Sequence, residues 1–323
     1  MTESLPGGWS LRPPTLDDVS AILAVVHASD IAAVGEADFT TEEVVEILTA
    51  PNHDRSRDSW VAIDASGRLV GWAYIDNPLG TPRDNFDAYV HPEHGRPAQP
   101  ALLDRVIARI AERAREAGVP SRVARGGAIA SEEAYVELLR SNGFAFIKRY
   151  ARMRRELRGD ERAPDVPDTV VVRPVRPDDD AEMQAFHEVF DVAFRDTPDY
   201  QPSTYEQYRQ RLAAMPSIDW DEWFVAEVDG RLAAILQSAS QAADLNEGWV
   251  KYLAVRQEFR GLGLGRVLLQ TAFHTYAAKG RRVVGLAVDT TNPTGAYRLY
   301  ESVGMHPVYE ADIYEREITA APL

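Results

Sequence analysis

"RQEFRGLGLGRVLLQTA", residues 256–272, sets Gly261, Gly263 and Gly265 among leucines just before an apolar helical pattern, with Arg260 and Arg266 on either side. The preceding "GWVKYLAV" (248–255) reads as a strand. A strand that turns through glycines into a helix presents successive backbone N–H groups at the positive end of a helix dipole, which is an anion cradle. Glycine allows positive φ and close approach of a bulky phosphate. The dipole adds roughly 0.3–2 kcal/mol for a negative charge there. Arg260 and Arg266 can add charge-assisted bonds. A diphosphate is the natural guest; a tight turn with incidental glycines is the plainer alternative. A Walker A loop would need Gly-Lys-Ser/Thr, and the chain has Gly-Arg-Val. The third glycine is misplaced for a dinucleotide fingerprint.

Around this stretch the second half reads strand, helix, strand, helix, strand. The helix of 265–280 stops at Gly280, "RRVVGLAV" (281–288) is a buried strand, "TGAYRLYESVG" (294–304) is a short helix, and a last strand runs from Tyr309 to Ile318. Such an order implies an α/β domain with a mixed sheet.

The chain also repeats itself. "LRPPTLDD" (11–18) matches "VRPVRPDD" (172–179), and "LLRSNGF" (138–144) matches "LYESVGM" (299–305), both at an offset of 161. "WVAIDASGRLVG" (60–71) matches "WFVAEVDGRLAA" (223–234) at 163, and "MRREL" (153–157) matches "YEREI" (314–318) at 161. Two domains of one fold are therefore expected, over 1–157 and 170–323. The polar, proline-bearing segment 158–169 reads as a linker. Each half opens with a strand and an Asp-Asp helix start (Asp17, Asp178), then a hairpin turning at Gly67 or Gly230.

Composition sets limits. The 323 residues carry a net charge of −15 and no cysteine, which excludes disulfides and thiolate metal sites. Residues 1–160 hold 19 basic and 24 acidic side chains, the remainder 16 and 26. An acidic second half argues against nucleic acid as partner and suits a cationic small molecule. No apolar run approaches the ~20 residues needed to span a bilayer. "MTESLPGGWS" lacks the pattern of a signal peptide, so a cytoplasmic protein is expected. His91 and His94 have a metal-like spacing, but Pro92 and Gly95 imply a solvated loop, and no metal is expected. The basic run 148–158 reads as an edge strand with exposed arginines.

The combination R-x-x-G-x-G (Arg260, Gly263, Gly265) after a "LAV" strand resembles the GNAT acetyltransferase superfamily. "VDTTNPTGAYRLYESVGM" (288–305) looks like that family's second conserved block, and the resemblance extends over 170–318. It implies two tandem GNAT-like domains, each a mixed, mostly antiparallel α/β sheet flanked by helices, broadly similar to the mycothiol synthase group. It implies acetyl-CoA as co-substrate, a small-molecule (or peptide) primary amine as acceptor, and direct attack without a covalent enzyme intermediate. The backbone of residues 253–255 (Leu253, Ala254, Val255) would hold the pantetheine arm. Residues 260–266, namely Arg260, Gly261, Leu262, Gly263, Leu264, Gly265 and Arg266, would hold the diphosphate. Asn292 would bond the pantetheine, and Tyr297 would lie beside the cofactor, chiefly as packing.

Tyr300 falls where the family's tyrosine protonates the departing thiolate. A phenol titrates near ~10 and a thiol near ~8.5, so the transfer is uphill without a good hydrogen bond. The family's usual glutamate on the cofactor strand is replaced by Trp249. Glu247, two residues earlier on the same strand face, is the expected base. Asp244 and Asp289 are further options. Acceptor recognition is expected from 194–208, with Asp196, Asp199, Tyr200 and Tyr205, and from Trp220 and Trp223. In the first half Ala98 and Pro100 stand where Gly263 and Gly265 do, and Leu139 stands where Tyr300 does. Proline has no N–H to offer a phosphate, so a structural or substrate-shaping role is expected there. A non-catalytic acyl-CoA sensor and a protein-binding scaffold are the rival readings. The sequence leaves a homodimer open.

Overall fold

Helices begin where the sequence supplies caps. Thr40 accepts from the Glu43 N–H at 3.2 Å, and the Glu43 carboxylate accepts from the Thr40 N–H at 2.8 Å. This reciprocal box starts one helix of the first half. In the second half the cap is Asp179, one residue beyond the expected Asp178; it accepts from the Glu182 N–H at 3.1 Å. The hairpins turn at Gly67 and Gly230, with φ of 87° and 75°.

A computed structural model of the chain describes residues 5–37, 39–78, 80–195, 200, 202–213, 215, 218–239, 246–291 and 295–320. The elements in chain order are β1 (Ser10–Arg12), α1 (Val19–Val34), α2 (Thr41–Thr49), β2 (Ser59–Ile63), β3 (Leu69–Asp76), β4 (Arg83–Val90), α3 (Gln99–Glu116), β5 (Ser121–Ile129), α4 (Glu133–Ser141) and β6 (Ala145–Glu156). They continue as β7 (Val170–Pro174), α5 (Asp180–Phe194), α6 (Tyr205–Ala213), β8 (Phe224–Val228), β9 (Arg231–Ala239), β10 (Glu247–Val255), α7 (Leu264–Ala278), β11 (Val283–Asp289), α8 (Ala296–Ser302) and β12 (His306–Thr319).

The chain forms two compact units, Met1–Tyr150 with Tyr309–Leu323, and Ala151–Val308. In the first, β1 to β5 lie side by side in chain order, followed by β12. Their pairings are antiparallel except β4 with β5. In the second the order from one edge is β7, β8, β9, β10, β11 and the latter part of β6, with β10 and β11 parallel. Both units are thus mixed, mostly antiparallel sheets with helices packed on them. The division differs from a cut through residues 158–169. The chain leaves the first unit in mid-β6 and returns with its last strand. There β12 pairs with β5 from Ala311↔Ile129 to Thr319↔Ser121.

Each sheet has apolar side chains on both faces. In the second unit Leu268, Leu269, Ala272 and Tyr276 of α7 pack with Val250 and Val284 on one face. Phe186, Tyr208 and Trp223 pack with Val225 and Ile235 on the other. Burying each large apolar side chain contributes about 1.5–3 kcal/mol. At Gly248 the fit is tight: a Cβ there would overlap the Tyr276 ring, which is fully buried. Gly248→Ala is therefore expected to destabilise by about 1–3 kcal/mol through overpacking, seen as a lower midpoint in scanning calorimetry. An unchanged midpoint would show that Tyr276 yields freely. Among the described residues no helix is long and apolar enough to cross a membrane.

Candidate active site

β10 and β11 are paired only from Glu247↔Val283 to Trp249↔Gly285. Beyond Trp249 they part. The register of β10 against β9 slips at the same place, between Val250 and Tyr252. A bulge of this kind bends and twists a strand, which accounts for the fork. Along residues 250–255 one edge of β10 remains bonded to β9, and the edge that β11 leaves can meet an extended amide chain. Leu253 and Val255 turn their side chains into the core and Ala254 is buried, so only their main chain faces outward in the bonding plane.

At the end of β10 the chain passes through the glycine loop. Gly261 and Gly263 have φ of 84° and 77°, and nothing lies within 4 Å of a Cβ built on either. Gly263 is the N-cap of α7 in the left-handed conformation. The first bond of the helix runs from the Val267 N–H to the Gly263 carbonyl at 3.1 Å. The amides of Leu264, Gly265 and Arg266 therefore precede the helical ladder and are available to an anion. Leu262 is exposed and Leu264 buried, so the loop is anchored on one side and open on the other. Gly265 serves packing: a Cβ there would lie 2.9 Å from Leu299 of α8. Arg260 reaches the Val255 carbonyl only at 3.4 Å, and Arg266 donates to the Ser302 carbonyl at 3.3 Å. These residues fit a diphosphate.

Tyr300, on α8, is buried at 9 % exposure. Burial alone pushes its phenol up to about 12. It is therefore held protonated, as a proton donor must be. Tyr297 packs against the core. Asn292 and Asp244 lie outside the described residues.

Glu247 does not keep the role expected of it. Its carboxylate sits 2.5 Å from the Arg152 guanidinium and 3.5 Å from that of Arg154, and it is 1 % exposed. Arg152 also lies 4.3 Å over the Trp249 ring. Each carboxylate oxygen of Glu247 thus faces a guanidinium, and neither is turned to an incoming amine. The pair is invisible in the sequence because 95 residues separate its members. Removing one partner of a buried ion pair costs about 3–5 kcal/mol, so Glu247→Ala should unfold at a distinctly lower temperature. Glu247→Gln, if folded, should keep the acid limb of the wild-type pH–rate profile. Loss of that limb would restore Glu247 as the base. Asp289 is likewise engaged, accepting from the backbone and hydroxyl of Thr291 at 2.8 and 2.6 Å.

On the other face of the fork, Tyr252 meets Phe190 and Phe194 at ring-centroid distances of 4.7 and 5.7 Å. The sequence reading missed this aromatic group; its signal was the pair of phenylalanines one helical turn apart on α5. Asp196 and Asp199 lie outside the described residues. Tyr200 donates to Asp191 at 2.7 Å, and Tyr205 donates to Asp180 at 2.7 Å. A pocket of about 480 Å³ opens here, lined among others by His187, Glu188, Asp191, Ser203 and Tyr205. Its carboxylates are joined by Arg256 and Arg195 at 3.1 and 2.6 Å. Trp223 is a core residue, stacked on Phe186 at 5.6 Å, with Trp220 edge-on to it at 4.9 Å. Neither lines the pocket just described.

Comparison with known proteins bears on the family and the fold. The model of the acetyltransferase (GNAT) family matches residues 183–305. The mycothiol acetyltransferase of Thermomonospora curvata is 34 % identical over 240 residues, 74 % of this chain and 75 % of that protein. The mycothiol acetyltransferase of Acidothermus cellulolyticus is 30 % identical over 279 residues, 81 % and 80 % of the two chains. Among solved structures, a GCN5-related N-acetyltransferase from Sphaerobacter thermophilus superposes with a TM-score of 0.84 at 25 % identity, covering 98 % of both chains. A tandem GNAT protein from the clavulanic acid biosynthesis pathway shares the fold, with a TM-score of 0.70 at 17 % identity over 98 % of this chain and 99 % of that one.

Proposed function

Since the chain belongs to the GNAT family of acetyltransferases, we propose that its second unit moves an acetyl group from acetyl-CoA to the primary amine of a small molecule. The observation that carries this reading is the fork of β10 and β11 opening beside the helix-start amides of residues 264–266, with a protonated Tyr300 on the adjoining α8.

Acetyl-CoA, when bound, supplies an activated carbonyl with a thiolate leaving group. The amides of 261–266 fix its diphosphate, and the free edge of β10 fixes its amide arm by strand-like hydrogen bonds. The bulge at 250–252 keeps that edge away from β11. Tyr300 then gives its proton to the sulfur that leaves as the amine nitrogen bonds the carbonyl carbon. The nitrogen's surplus proton passes to water, because the described carboxylates nearest the fork are already engaged. An acceptor with a pKa near ~10 must enter as its neutral minority form. The rate should then rise with pH until the amine is deprotonated.

The relatives named mycothiol acetyltransferase favour a cysteinyl amine of the mycothiol type within this class. Trp249, in place of the family's glutamate, is the departure to be explained. Two measurements test the reading: calorimetric titration with coenzyme A, then thiol release with a panel of amines that includes cysteinyl compounds. Coenzyme A binding without release for any amine would leave a sensor; no coenzyme A binding would remove the enzyme reading altogether.

A further inference from the structure

The Ala151–Val308 unit holds a further cavity of about 760 Å³, lined among others by Arg155, Arg158, Gln270, Ser302, Gly304 and His306. Its volume is that of a small-molecule site. It begins close to the glycine loop. Arg266, in the first turn of α7, donates to the Ser302 carbonyl at 3.3 Å, and Ser302 is part of the cavity wall. Gln270 follows Arg266 on the same helix face, and four residues advance a helix by about 6 Å. The cavity therefore continues from the amides of 264–266 into the space between α7, the end of α8 and the end of β6.

The wall is rich in donors. The Arg155 guanidinium lies 4.9 Å over the Phe273 ring of α7 and donates to the Val303 carbonyl at 2.9 Å. These contacts fix it at the wall and leave most of its five N–H groups unused. Glu161 approaches it only to 3.7 Å. The two Glu161 oxygens already accept from the Arg158 and Gly159 N–H groups, at 2.8 and 2.9 Å. Arg158 and His306 are exposed, and among the described residues their side chains make no hydrogen bond and no ion pair. Glu156 also borders the cavity, but strand alternation turns its side chain to the face opposite Arg155. What this wall lacks is an anion.

We infer that the cavity takes the adenosine end of coenzyme A, and that Arg158 and Arg155 read its 3′-phosphate; this rests on the acetyl-CoA reading above. With the diphosphate on the amides of 264–266, the ribose comes level with Gln270, and the phosphate on its far side meets the two guanidiniums. A phosphate dianion gains charge-assisted hydrogen bonds there, stronger than those between neutral groups. The glycine loop alone would hold the diphosphate of any nucleotide. The arginines at the end of β6 add selection for the phosphorylated ribose.

The test is calorimetric titration of the full chain with coenzyme A and with 3′-dephospho-coenzyme A, which lacks only that phosphate. At low salt the dephospho form should bind at least about tenfold more weakly. The gap should narrow at high salt, because Arg158 is exposed and its charge is screened. Arg158→Ala should shrink the gap to about threefold or less by weakening coenzyme A alone. The variant should fold, since the side chain is exposed and the backbone bond to Glu161 remains. Adenosine 3′,5′-bisphosphate, the tail by itself, should compete with coenzyme A. Equal affinity of the wild type for the two coenzymes would overturn the site and leave the acetyl-CoA reading standing. A gap that survives Arg158→Ala undiminished would place the phosphate elsewhere and also overturn it. So would simultaneous binding of the bisphosphate and coenzyme A, which would make the cavity a site for a separate nucleotide. No binding of either coenzyme would remove the acetyl-CoA reading and this site with it.

Discussion

A Gly263→Val variant is expected to bind coenzyme A at least about 100-fold more weakly than wild type. Gly263 sits at φ 77°. A β-branched residue held in the left-handed region costs about 1–3 kcal/mol, and each 1.4 kcal/mol is tenfold in affinity. Nothing lies within 4 Å of a Cβ at this position. The protein therefore has room for the side chain. The loss comes from the backbone relaxing out of the conformation that aims the amides, and from methyl groups occupying the anion's own space. Stability should change little by comparison, since the loop is exposed and α7 is anchored by Leu264 and Leu268. Calorimetry with coenzyme A and a thermal melt separate the two effects. Wild-type affinity in this variant would mean that the diphosphate is held elsewhere.

Tyr300→Phe is expected to lower kcat by about 10²–10³-fold, within the range for loss of a general acid, with coenzyme A affinity unchanged. The phenylalanine ring keeps the packing of α8 on the core, so the two readouts distinguish proton donation from structure. The pH dependence follows from the sign of the shift. In the proposed step Tyr300 works in its protonated form, and burial pushes its pKa up to about 12. The protonated form thus persists well above the ordinary phenol range, and wild-type kcat should show no alkaline decline from this group below about pH 11. The same shift makes outright transfer to a thiolate less favourable than from a free phenol. The hydrogen bond to the developing charge in a buried site must therefore supply the difference. An alkaline limb near 10 that vanishes in Tyr300→Phe would show the phenol to be solvated. An unchanged rate would remove Tyr300 from the mechanism.

The glycine loop was legible because it is local. A strand, positive-φ glycines and a helix start lie within twenty residues, and each has a direct backbone cause. The repeat was legible for a similar reason: the apolar periods and turn residues of one half recur in the other at a nearly constant offset. Tyr300 could be placed on α8 because it lies inside a contiguous block. The loss of the cradle in the first half was also readable, since Pro100 lies within the first turn of α3 and proline can donate no N–H.

Other features needed long-range partners. Glu247 looked like a base on a strand; only the fold brings Arg152 and Arg154 against it and turns it into a structural ion pair. Trp223 looked like a binding aromatic and is core. In the first unit β4 and β5 likewise part after Phe86↔Gly126, which no period in the sequence records. The exchange of final strands is the clearest case. "MRREL" and "YEREI" occupy equivalent places in the repeat and have similar patterns. The sequence therefore determined that two sheets of one kind form, each ending on such a strand. The tertiary structure decided which strand closes which sheet, through partners such as Arg125 with Glu315 and Arg149 with Asp312. A strand's pattern states which face it buries, whereas its neighbour is chosen by contacts the chain meets only once folded.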